Sequence, residues 1–280
     1  MRTHSLTTLI LFTAYGGGTS AFGQVASKQG VDLAVIPAIS QDPTCPPEGW
    51  CGEASIQMAA MYYGCYFPQK MINAAGHPNH PDLWNTELAG ALEALGFGRR
   101  DLPNGSPDEF IRALKPELQS GTPVILGVNV YSGTHGDAHF CIAARCDEKS
   151  LTINTTWAMS GNVFSWDKLR TKSGGITLAD VFMGLAIPAP EVLAAHRLRL
   201  YPADPNAFFT KWCKLRIEAS HLIKNAKYQV RRYPSVRLAD VNRGGGELVS
   251  EFIATDSDFS QQVEVGRDQP IVFVLTHVRG

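Results

Sequence analysis

The 280-residue chain is short of most features that would set it apart from ordinary globular proteins. Beyond its first two dozen residues no apolar run is long enough to span a bilayer, so no integral membrane segment is expected once the start is removed. Neither charge sign dominates: 25 Lys and Arg stand against 26 Asp and Glu, which argues against nucleic acid or an anionic membrane as a partner of the whole chain. With 44% hydrophobic and 18% charged residues, a disordered or coiled-coil chain is excluded. No repeat of fixed period is present. Six cysteines (Cys45, Cys51, Cys65, Cys141, Cys146 and Cys213) are too few for a disulfide scaffold at this length, and no Cys-x-x-Cys pair suggests a zinc ribbon.

What is there begins with an export signal. MRTHS is cationic, LTTLILFTAY is apolar and too short to span a bilayer, and GGGTSAFG ends in small residues suited to cleavage before Gln24. Residues 1–23 are therefore expected to be a signal peptide and the protein to be secreted or periplasmic, against the competing reading of a buried N-terminal strand. Export permits disulfides, and Cys45 and Cys65, which flank Cys51, are the first expected bridge.

Hydrophobic periodicity divides the rest. Residues 52–63 predict a helix stopped by Gly64, and 86–95 a second, with Leu88, Ala91, Leu92 and Leu95 at three- and four-residue spacing. A third starts behind Ser106, with Pro107 at its first position and Glu109 completing a capping box; Pro116 is expected to end its regular part early. Short apolar or alternating runs at 123–131, 139–146, 151–154 and 162–166 then read as antiparallel strands. Helices first and strands second predict an α+β domain over 36–190, its helical half packed on a sheet with a cleft between.

After Pro188-Ala189-Pro190 a small β-rich C-terminal module is expected over 196–280, with strands at KYQVRRY, ELVSEFIAT, QQVEVG and PIVFVLTHV; residues 211–224 fit helix and strand equally. Residues 196–243 carry eleven Lys or Arg against three acids, and 244–280 two against six. The two halves are expected to pair within the module; a basic docking face for a polyanion is the alternative.

Three local patterns carry chemistry. Cys51, in GWCGEAS, sits where a Pro/Gly loop enters a helix, whose free amides and dipole favour a thiolate. A buried structural cysteine is the plainer explanation. His139 opens an apolar strand after the turn SGTHGD and has the right type of side chain to act as base for a thiol. Asn154 ends the strand LTIN; if 139–146 and 151–154 form a hairpin, its amide oxygen can orient the imidazole, and a shift of one residue would give that role to Thr155.

In this order and spacing the three resemble the papain-like cysteine peptidases, and most nearly their bacteriocin-processing-peptidase-like (C39-like) branch, over residues 36–187. The resemblance implies a papain-like fold, a peptide or protein substrate, thiol acyl transfer without a cofactor, Cys51 as nucleophile, His139 as base and acid, and Asn154 as orienting group. It also implies Gln41 as an oxyanion donor, although ten residues separate it from Cys51. Glu53 stands where this branch often has Pro, and Asn154 where it more often has Asp.

Two rival readings remain. His135, Asp137 and His139 alternate and can meet one divalent metal such as zinc, with His77 and His80 as further donors. Alternatively the chain is an inactive exported binding or adaptor protein on a peptidase-like scaffold.

Overall fold

In the computed structural model the described residues are 36–46, 49–132, 135–157, 161–172, 175–179, 183–194, 198–203, 212–242 and 244–278. The expected signal peptide lies outside them. Helix α1 (Cys51–Tyr62) lies at the centre of the domain and buries every residue from Gly52 to Tyr62, the polar Glu53, Ser55 and Gln57 among them. Around it stand α2 (Gln69–Gly76) and α3 (Asn85–Ala94). Helix α4 (Pro107–Gln119) is capped by Ser106, whose Oγ accepts from Glu109 N at 3.2 Å. It does not stop at Pro116: Ser120 N still donates to Pro116 O at 2.9 Å, because proline removes a donor and leaves its acceptor intact.

The main sheet is antiparallel throughout. Its order is β2 (Arg100–Asp101), β8 (Met183–Ala186), β3 (Val124–Ser132), β4 (His135–Cys146), β5 (Ser150–Asn154) and β6 (Asn162–Ser165), with β7 (Gly175–Thr177) also on β3. A helical side on an antiparallel sheet is the expected α+β class. The Val124, Ile125, Leu126, Cys141, Ile142 and Ala143 side chains of its central strands are fully buried. Short helices α5 (Trp166–Leu169) and α6 (Glu191–Ala194) close its margins.

The C-terminal residues form two further sheets. One is β13 (Phe259–Gly266), β10 (Trp212–Ala219) and β9 (Leu198–Pro202), so the ambiguous 211–224 segment resolves largely to strand. The other is β14 (Ile271–Val278), β11 (Lys227–Tyr233) and β12 (Glu247–Ile253), and β1 (Cys65–Tyr66), just after α1, completes it through Tyr66↔Ile271. Helix α7 (Val236–Val241) packs on β11 and β14. All described residues fall in one compact unit. Basic β11 and acidic β12 pair side by side, with Lys227 on Glu251 and Arg232 on Glu247, each at 2.7 Å.

The expected Cys45–Cys65 bridge does not form. None of the six cysteines is joined in a disulfide; Cys65 is wholly buried in β1, while Cys45 sits in the partly exposed loop ahead of α1.

Candidate active site

The site lies where the N-terminus of α1 meets β4. Trp50, the residue before α1, offers no side-chain cap, so the first-turn amides around Cys51 keep their positive potential. Gly52 makes the close seat possible: a Cβ there would stand 2.8 Å from Leu88 Cδ2 and 3.3 Å from Leu83 O. Gly49 has φ +85°, and a Cβ would meet Gln41 Oε1 at 2.5 Å, so both its conformation and its neighbour call for glycine. That neighbour fixes the loop, because Gln41 Oε1 accepts from Trp50 N at 2.5 Å.

Burial pushes the Cys51 thiol up to about 11. The Phe140 backbone amide opposes the shift, the charge of Glu53 adds to it, and the Gly52 amide opposes it. Phe140 directly follows His139, so the thiol rests against the strand that carries the expected base. His139 is itself buried, and burial lowers it to about 4. Its ring stacks on Trp157 with centroids 4.4 Å apart and planes 9° from parallel, while Trp157 stays 49% exposed and forms the outer wall. Both groups therefore rest in their neutral forms, and among the described residues no hydrogen bond joins Cys51 to His139.

His139 Nε2 is engaged by Thr156 Oγ1 at 3.2 Å. Gln41 Nε2 donates to the same oxygen at 3.2 Å, and Gln41 N donates to Thr156 O at 3.0 Å. Gln41 and His139 thus meet at Thr156, with Cys51 on the helix start that Gln41 holds and against the strand that carries His139, while the bonds of Asn154 go elsewhere. Asn154 pairs across the sheet with Ile142, three residues past His139, so the register leaves it short of the imidazole; the bulge between Ala143 and Arg145 shifts it by only one place. Its amide is spent on structure: Nδ2 donates to Ile36 O at 2.7 Å and Oδ1 accepts from Gly161 N at 3.0 Å. Thr155 bonds locally, accepting from Trp157 N. Thr156 was missed; counting the hairpin back from its turn puts the residue opposite His139 near 157, which would have found it.

Glu53 is fully buried and the largest surprise near the thiol. Burial raises its carboxyl to about 7, against the pull of hydrogen bonds from Asn73 Nδ2 (2.8 Å) and Leu83 N (2.9 Å) to Oε1. Oε2 is buried without a partner. The cleft margin beyond it carries Trp84, 56% exposed and stacked on His80 at 3.9 Å, with His80 held 3.3 Å from both Asp82 and Glu87. Trp50 is buried and donates Nε1 to Pro81 O at 2.9 Å. Of the alternating metal donors, His139 is committed to Trp157 and Thr156, and the His135 side chain lies outside the described residues. Among the described residues no group of three His, Cys, Asp or Glu is disposed to hold a metal ion.

No family model matches the chain, and no curated protein matches it. Among solved structures it is similar to a peptidase domain. This is the peptidase domain of Streptococcus ComA, a bifunctional ABC transporter involved in a quorum-sensing pathway; the likeness covers 56% of this chain and all of that one, at 18% identity and a TM-score of 0.41.

Proposed function

We propose that the protein is an exported papain-like cysteine hydrolase that cleaves peptide or amide bonds by thiol acyl transfer. The observation that carries this reading is the meeting of an uncapped helix N-terminus bearing Cys51 with a strand whose His139 is braced on one ring nitrogen by Thr156 and covered by Trp157. In the reaction His139 takes the Cys51 proton as the sulfur attacks the carbonyl carbon. The resulting oxyanion is met by the Cys51 amide and by the second N–H of Gln41, the first being held by Thr156. Protonated His139 then gives its proton to the leaving amine, and a water deprotonated by His139 releases the acid and restores the thiol. Another acceptor in place of water would make the same site a transferase.

Thr156 takes the part expected of Asn154. A neutral hydroxyl accepts Nε2–H and leaves Nδ1 free to take the thiol proton, but it adds no charge to stabilise the imidazolium, as a carboxylate would. This absence, with the raised thiol, favours as second reading a binding protein that retains the scaffold. Incubating the mature protein and Cys51→Ala with a mixed peptide library, and mapping new termini by mass spectrometry, separates the two. The hydrolase reading expects new termini that vanish in the variant; none from the wild type, with peptide retained by both proteins, supports the binding reading.

A further inference from the structure

The turn that leads from β13 to β14 spans 266–270, where Gln269 N donates to Gly266 O at 3.1 Å. Arg267, within that turn, is anchored twice. Its carbonyl accepts from Tyr66 OH at 2.7 Å, and its Nη2 donates to Asp42 Oδ2 at 2.5 Å. Asp42 is buried, and burial alone would raise its carboxyl; hydrogen bonds from Thr44 and the Arg267 guanidinium overcome that and hold it below its usual range. Asp42 N donates to Gln69 Oε1 at 2.7 Å, so backbone and side chain are both fixed. The residue before it is Gln41, which holds Thr156 through backbone and side chain, and Thr156 in turn holds His139 Nε2.

We propose that Arg267 is a positioning residue for the Cys51 and His139 site, acting through Asp42, Gln41 and Thr156. The proposal rests on the hydrolase reading of that site. A buried carboxylate that loses the cation paired with it is an uncompensated charge, and the cheapest relief is movement of its loop toward water. Gln41 moves with that loop, and Thr156 is left without the donor that sets its hydroxyl. The turn between β13 and β14 is thereby part of the machinery, although it lies more than a hundred residues after His139.

The test uses the full mature chain labelled with 15N-histidine, as wild type, Arg267→Gln, Arg267→Lys and Asp42→Asn. Two quantities are read: the His139 ring-nitrogen shifts, which report its tautomer, and turnover of a p-nitrophenyl acyl ester. Arg267→Gln is expected to replace a single Nε2–H tautomer by a mixture and to lower kcat on the order of tenfold with KM little changed, and Arg267→Lys to restore both. Wild-type shifts and kcat in a natively folded Arg267→Gln overturn the proposal. Should that variant fail to fold, Asp42→Asn, which buries no charge but weakens the tie between the loop and Arg267, carries a smaller change in the same direction, and wild-type shifts and kcat there overturn the proposal. A wild type without ester turnover whose His139 tautomer still responds to Arg267→Gln retains the positioning link and defeats the hydrolase reading instead.

Discussion

Thr156 Oγ1 lies 3.2 Å from His139 Nε2, making the contact expected of Asn154. A carboxylate imposes one imidazole tautomer and stabilises the cation; a hydroxyl can accept or donate and leaves the choice to its own neighbours. Thr156→Val should therefore cost acyl-transfer activity about tenfold or more, while Thr156→Asp should raise the His139 pKa. Asn154→Ala should instead leave activity per folded molecule unchanged and lower stability by about 1–3 kcal/mol, since it strands Ile36 O and Gly161 N. Ester turnover together with urea unfolding of the three variants checks the assignment.

Trp157 is the cover that keeps His139 neutral. Burial is the one cause lowering the imidazole, so Trp157→Ala should return its pKa from about 4 toward the ordinary 6.5. An NMR titration of the His139 ring measures this directly. No movement would mean that the rest of the cleft, and not the indole, supplies the burial.

Glu53 makes a prediction whose sign is fixed by linkage. Its folded pKa, about 7, is raised from an ordinary 4.5, so it favours the native state below 4.5 and that contribution is lost as pH rises through 7. His139 is lowered from 6.5 to about 4, so its contribution is present above 6.5 and lost as pH falls through 4. The two slopes nearly cancel between pH 4.5 and 6.5. Glu53→Gln removes one of them, and its stability relative to wild type should climb by about 3 kcal/mol from pH 4.5 to 7. Denaturant melts at a series of pH values show this; parallel curves for the two proteins would contradict it.

Much of this was legible in the sequence. Helix α1, the capped start of α4 and the strands β3 to β6 and β11 to β14 follow from periodicity and turn residues, which act over a few positions. Cys51 stands out in the sequence because it sits where a loop enters a helix; His139 is expected to open its strand, but β4 begins four residues earlier, at His135. Asn154 misled because β5 ends opposite Ile142, three residues short of His139, which only a count of the hairpin from its turn reveals. Helix α2 was missed since it buries little more than Gln69 and Ile72, leaving a weak apolar stripe. The Arg267 to Asp42 contact joins residues too far apart for any local pattern to reveal.

The most direct test is acylation of Cys51 itself. The mature protein is mixed with a p-nitrophenyl acyl ester, quenched in acid within the first turnover, and mapped by mass spectrometry, with His139→Ala alongside. The account predicts an acyl group on Cys51 that forms and then decays, and that forms far more slowly in the His139 variant. An acyl group on another residue, or equal acylation of Cys51 with and without His139, would contradict it.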